Sequence, residues 1–224
     1  MYYHPKGLPS TSGSLPECPG TSPSLAIEGV SVRHRQLACE NSKFQVFFDH
    51  VVDSTGPEVH NYLVVSPRQQ GKNMLTGIAI LPLMAGRIGL IRIYRPPIRS
   101  WSWEIPHGFI EHGESGLASA ARELGEEAGL VAASIASLGF ITPDSGVLAA
   151  RVELFLARDC SIVACKQAEI GLRELSFFSV AEFEEMILRS EIQDTFTLAA
   201  WCRVRLSPDS FNQAASGNEE GMAA

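Results

Sequence analysis

Glu123, Glu126 and Glu127 crowd together near the end of the stretch GFIEHGESGLASAARELGEEAGL, which runs from Gly108 to Leu130. On a helix of 3.6 residues per turn, the three acids fall within an arc of about 100°. They sit directly beside an apolar stripe of Leu117, Ala120, Ala121, Leu124 and Ala128. Like charges at these spacings destabilise a helix by a few tenths of a kcal/mol per pair. Gly125 adds up to about 1 kcal/mol inside a helix. Oxygen-only donors at this density suit a hard divalent cation, Mg²⁺ or Mn²⁺, rather than zinc or copper. The helix alone leaves a second reading open, a solvated acidic face on which Arg122 pairs with Glu126 at i,i+4.

The elements that must position these acids are strands. KFQVFFDHVV alternates so that Phe44, Val46 and Phe48 share one side. HNYLVVS and TGIAILPL continue as strands, with turn chemistry at STGPE and RQQGKN between them. IGLIRIYRPP is a further strand, stopped by Pro96 and Pro97. After the acidic helix come a strand near ASLGFI, a turn at TPDSG and the strand RVELFLA. The C-terminal part is helical in pattern: Ser179 and Glu182 form a capping-box signature, and Asp194 is placed to cap DTFTLAAWCRV. Strands mixed with a few helices indicate an α/β or α+β layered domain.

The chain has 224 residues, 45% of them hydrophobic, which supplies material for one sizeable core. Its net charge of −7 argues against broad nucleic-acid binding, whereas an anionic small molecule is admissible where a metal reverses the local sign. The five cysteines form no CxxC pair, which fits a reducing compartment rather than a disulfide framework. We find no basic segment followed by an apolar one at the start, and no apolar run of membrane-spanning length. The expected location is cytoplasmic, with neither membrane nor nucleic acid as partner. Residues 1–25, rich in Pro, Ser, Gly and Thr, read as a disordered tail, and the last residues, SGNEEGMAA, read the same way.

Gly108, Glu114, Arg122, Glu123, Glu126, Glu127 and Gly129, with Leu124 and Leu130 at the bulky apolar positions, resemble the Nudix box, G-x5-E-x7-R-E-U-x-E-E-x-G-U. Seven fixed identities arise by chance about once in 10⁵ to 10⁶ chains of this length, which sets the solvated-face reading aside. IRIYRPP, WSWEIPHGFIEHGE and EIQDTFTLAAW resemble the branch of ADP-ribose pyrophosphatases and other nucleoside-diphosphate-sugar hydrolases. The resemblance covers roughly residues 28 to 205. It implies an α/β fold, an α/β/α sandwich with a mixed β-sheet and an N-terminal β-rich dimerisation region. The chain then divides into a tail at 1–25, a β-rich region at 26–80, the Nudix domain at 81–206 and a tail at 207–224.

The implied activity is Mg²⁺-dependent hydrolysis of a pyrophosphate bond, with ADP-ribose giving AMP and ribose 5-phosphate. GDP-mannose or another nucleotide sugar is the alternative, and a non-catalytic sensing domain is disfavoured because every box acid is present. The resemblance makes Glu123, Glu126, Glu127 and the backbone carbonyl of His107 metal ligands, with Mg²⁺ or Mn²⁺ as the ion. It gives Arg122 and Glu114 a bracing role and Arg95 a role in binding substrate. Glu169, with Glu174 behind it, occupies the place of the general base, although Gln167 and Ala168 stand where acids usually occur. Trp101 and Trp103 could stack a base or simply pack, and Glu111 reads as a surface carboxylate. The implied partners are a nucleotide-sugar substrate and a second copy of the chain.

Overall fold

A computed structural model describes residues 29–163 and 171–207. The strands are β1 (Val30–Glu40), β2 (Phe44–Asp53), β3 (Glu58–Pro67), β4 (Leu75–Met84), β5 (Arg87–Arg95), β6 (Ser100–Glu104), β7 (His107–Phe109), β8 (Leu130–Val131), β9 (Ser134–Ile141), β10 (Arg151–Arg158), β11 (Ser161–Ile162) and β12 (Leu172–Phe178). The helices are α1 (Gly116–Ala128), α2 (Val180–Leu188) and α3 (Thr195–Leu206).

A seven-stranded sheet runs in the order β12-β5-β4-β10-β9, with β6 added to β5 and β7 to β4. The β4–β10 ladder is parallel and the others in this sheet are antiparallel, so the sheet is mixed. Its central strands are buried on both faces, and period-two alternation divides their side chains between two layers. Ile78, Ile80, Phe155 and Ala157 pack with Ala120, Leu124 and Ala128 of α1. Ala79, Leu81, Val152, Leu154 and Leu156 pack on the opposite side with Phe183 and Met186 of α2 and with Ala200, Trp201 and Val204 of α3. The result is an α/β/α sandwich. Ser179 caps α2 in a reciprocal capping box with Glu182, and Asp194 caps α3 by accepting the Thr197 N–H at 2.8 Å, as the sequence anticipates.

α1 departs from its expected stripe. Ala120, Leu124 and Ala128 are buried, but Leu117 is 52% exposed and Ala121 also faces solvent. Ser119, Glu123 and Glu127 fill the rest of the buried face. The helix is turned toward its acids because β7 lies against it and receives them, so the carboxylates share the core-facing side instead of flanking it.

β1, β2 and β3 form a separate antiparallel sheet. The expected apolar face of β2 meets little core: Phe44 packs edge-on against Phe109, but Phe48 is 40% exposed, and the most buried residue of the strand is Asp49. Arg35 holds the Asp49 carboxylate through two hydrogen bonds, at 2.8 and 2.7 Å, while stacking over Phe47. This sheet joins the rest of the molecule through Val65, whose N–H donates to the Val147 carbonyl (2.8 Å) and whose carbonyl accepts from Ala149 (2.9 Å). Tyr62 adds a bond from its hydroxyl to the Gly146 carbonyl at 2.8 Å. Cys39, Cys160 and Cys202 are free thiols. Among the described residues, no helix is long and apolar enough to cross a membrane.

Candidate active site

Ser115 opens α1 by accepting the Ala118 N–H at 3.2 Å, and Gly129 closes it in the left-handed conformation (φ 62°). An L-residue with a side chain would be strained there. Between these ends, Arg122 gathers the acids. Its Nε donates to Glu114 Oε1 (3.1 Å), Nη1 to Glu123 Oε1 (2.8 Å) and Glu126 Oε2 (3.0 Å), and Nη2 to Glu114 Oε2 (3.1 Å) and the Phe109 carbonyl (3.0 Å). The buried Ser119 hydroxyl donates to Glu114 at 2.5 Å. Hydrogen bonds from Arg122 and then from Ser119 hold the Glu114 carboxyl at about 2. The same contacts, Glu114 foremost, raise the Arg122 guanidinium above its ordinary value. One guanidinium therefore bonds three carboxylates, those of Glu114, Glu123 and Glu126.

Glu123 and Glu127 converge on β7. Glu127 Oε2 accepts the His107 N–H at 2.8 Å. The Glu123 carboxylate lies against Gly108, where an added Cβ would overlap it. Glycine is required at 108 by this close approach, since its φ is not in the left-handed range. A Cβ on Gly77 of the neighbouring strand would come within 2.8 Å of the Gly108 carbonyl oxygen, so β4 and β7 are closely apposed here as well. The acids thus rest on a strand anchored in the central sheet.

Beside them, Arg95 makes a bonded pair with the buried Glu104, Nε at 3.0 Å and Nη2 at 2.7 Å from Oε2. Arg95 Nη2 also lies 2.9 Å from His107 Nε2, and His107 Nδ1 lies 3.0 Å from the Ile105 carbonyl. A carbonyl only accepts and a guanidinium only donates. Nδ1 therefore carries the proton and Nε2 accepts. The imidazole of His107 is turned to Arg95, while its backbone meets the glutamates.

The structure thus brings Glu114, Arg122, Glu123, Glu126, Glu127, His107 and Arg95 into one region. Glu169 lies outside the described residues. Glu174 stands on β12, opposite Arg92 with an ion-pair distance of 4.0 Å, and belongs to a strand rather than a loop. Trp101 is 41% exposed and meets Tyr94 edge-on, whereas Trp103 packs on Phe178. Glu111 is exposed. Two residues with positioning roles went unnoticed in the sequence, Glu104 and Ser119. The Pro96–Arg99 turn sets Arg95 opposite Ser100 and Ile91 opposite Glu104. Alternation along that hairpin puts Arg95 and Glu104 on one face, a signal that was there to be read.

Residues 75–198 match the model of the NUDIX domain family, which is more than half of the chain. The chain belongs to the NUDIX domain family. Over 153 residues it is 26% identical to an ADP-ribose pyrophosphatase of Bacillus subtilis (strain 168), covering 68% of this chain and 80% of that protein. Over 40 residues it is 55% identical to an ADP-sugar pyrophosphatase of Mus musculus; that stretch is 18% of each chain. The crystal structure of an ADP compounds hydrolase superposes with a TM-score of 0.70 at 18% identity, over 83% of this chain and 98% of that one. This last likeness is one of fold.

NUDIX hydrolases generally use divalent metals, and the residues present fit one. The donors are carboxylates and backbone carbonyls, two of the acids are nine-tenths buried, and Gly108 leaves the room that a side chain would fill. Such an oxygen set suits a hard cation.

Proposed function

We propose that this NUDIX protein hydrolyses the pyrophosphate bond of a nucleoside diphosphate linked to a sugar, with ADP-ribose as substrate and AMP and ribose 5-phosphate as products. The observation that carries the reading is the convergence of Glu123 and Glu127 on His107 and Gly108, with Arg122 tying Glu123 to Glu126. The names of the Bacillus subtilis and mouse relatives support the choice of an ADP-sugar.

Glu123, Glu126, Glu127 and the His107 carbonyl would hold Mg²⁺, for which Mn²⁺ can substitute. Bound divalent ions screen the two anionic phosphates and act as Lewis acids toward them. The chain's own groups do the rest. Arg122 and Glu114 fix the rotamers of Glu123 and Glu126, and orientation of this kind tunes metal ligands. The His107 N–H fixes Glu127. Arg95, gripped by Glu104 and His107, sets positive charge beside the acids where a diphosphate would lie. Glu169 takes the proton of the attacking water. The protein acts in the cytoplasm as a homodimer joined through the β1–β3 sheet, whose Val30, Val32, Leu37, Phe48, Val59, Tyr62 and Leu63 are exposed in the single chain.

The test is a substrate panel of ADP-ribose, GDP-mannose and diadenosine polyphosphates, with Mg²⁺ and with EDTA. ADP-ribose should show the highest kcat/KM, and EDTA should abolish turnover. Preference for GDP-mannose would move the reading to the other nucleotide sugar. Absence of hydrolysis across the panel, or undiminished hydrolysis by Glu127→Gln, would overturn it.

A further inference from the structure

A second group of metal-ligating side chains lies on the N-terminal sheet, away from the box and of different chemistry. His50 on β2 and His60 on β3 both turn Nε2 toward Glu58, at 3.0 Å from Oε2 and 3.1 Å from Oε1 respectively. Their imidazole rings lie 4.3 Å apart, centroid to centroid, and are inclined by 31°. One ligand atom from each of the three residues lies within 4.8 Å of the others.

The backbone is irregular at this point on both sides of His50. Val51 pairs with Val59 but Asp49 pairs with Tyr62, so β3 carries an extra residue opposite His50. Val32 pairs with Val51 but His34 pairs with His50, so β1 carries an extra residue as well. Bulges bend a strand and re-aim its side chains, and they concentrate beside functional sites. Here the β3 bulge leaves Glu58 and His60 on the same face as His50. The β1 bulge sets His34 directly across the ladder from His50. Three imidazoles and a carboxylate thus occupy neighbouring positions on one face of a sheet that has little core of its own.

We propose that His50, Glu58 and His60 form a binding site for a divalent transition ion of the zinc class, with water in the fourth position, and that the bound ion staples β2 to β3. Two imidazoles and one carboxylate make a ligand set suited to Zn²⁺, Co²⁺ or Ni²⁺ and unlike the all-oxygen set of the box. The two imidazole–carboxylate separations of 3.0 and 3.1 Å, one to each Glu58 oxygen, need to open only slightly, and the remaining separation, within 4.8 Å, needs to close. Ligand atoms about 2.0–2.1 Å from a tetrahedral zinc stand about 3.3 Å apart. In the single chain, side-chain exposures of 22%, 43% and 69% for His50, Glu58 and His60 leave an entry path and a place for the water. Among the described residues, the contacts of these three run to one another and not to the box glutamates. The site's effect is on the N-terminal sheet, since an ion that binds only the folded state stabilises it.

The experiment uses untagged full-length protein stripped with EDTA and exchanged into chelator-free buffer. Titration with Co²⁺ should develop tetrahedral d–d bands with about one equivalent per chain. Zn²⁺ should bleach them, and a large excess of Mg²⁺ should leave them in place. The His50→Ala/His60→Ala variant should weaken uptake by at least about tenfold and should lose the Zn²⁺-dependent rise in Tm, while kcat/KM with Mg²⁺ stays unchanged. Glu126→Gln/Glu127→Gln should retain the bands. Glu58→Gln serves as a second variant, because it keeps the size of the side chain while removing its charge; it should weaken uptake similarly. Equal uptake by wild type and by these sheet variants, or bands that vanish only with the box variant, would overturn the proposal.

Discussion

The box region and the N-terminal sheet handle charge in opposite ways. In the box, Glu123 and Glu127 are nearly withdrawn from solvent and rest on β7, itself paired to the central strand β4. Each acid there has a defined partner, and Arg122 alone holds three of them. In the β1–β3 sheet most side chains are half or fully exposed, and Asp49, held by a half-exposed Arg35, is the one buried charged residue among its described residues. Where a rigid scaffold exists, repulsion between acids can be built in and held. Where it does not, the surface is left open to the proposed second chain and ion.

Changes at the box should have the largest effects. Glu127→Gln keeps an acceptor for the His107 N–H, so its Tm should stay close to wild type while kcat falls by about 10²–10³, measured with ADP-ribose and Mg²⁺. Gly108→Ala drives a methyl into the Glu123 carboxylate. A misplacement on this scale should cost about 10²-fold in kcat/KM, with a stability loss of about 1–3 kcal/mol read from urea unfolding.

The two sheets can then be set against each other with one chemical change. Leu154→Ala, at a fully buried position, should destabilise by about 2–5 kcal/mol. Leu63→Ala, at a position 41% exposed in the single chain, should cost under about 1 kcal/mol in dilute protein and more as concentration rises, if a partner chain covers it. Concentration-independent unfolding of both wild type and Leu63→Ala would remove the dimer from the comparison.

The smallest effect is in acid. The Glu114 carboxyl is lowered from 4.5 to about 2, so its contribution to stability is complete above about 4.5 and lost as pH falls through about 2. The Tm difference between wild type and Glu114→Gln should therefore hold from neutrality to about pH 4.5 and close progressively toward pH 2. A difference that widened on acidification would contradict the brace.

The strands and caps were legible wherever local pattern and burial agree. β4, β5 and β10 announce themselves by apolar runs ended by prolines or turn residues, and Ser179 and Asp194 by their capping spacing. β12 was not legible, because LRELSFF follows a region read as the loop that carries the general base. The rotation of α1 was hidden for a physical reason. An apolar stripe drawn from hydrophobicity alone puts Leu117 and Ala121 inside, whereas the helix buries Glu123 and Glu127 because β7 supplies them with an N–H and a cleared space. The spacing of the box acids could be read directly; the Arg95–Glu104 pair needed hairpin register, which the sequence carries only implicitly.

The parallel β4–β10 ladder has one further consequence. It joins positions 75 residues apart, as in the bond from the Thr76 hydroxyl to the Arg151 carbonyl. Closing so wide a loop is entropically slow and tends to come late on a folding route. Everything that gathers the glutamates, β7 and α1 included, lies inside that loop. A nascent chain therefore exposes the acids long before they are assembled, and their convergence arrives cooperatively with the finished sheet.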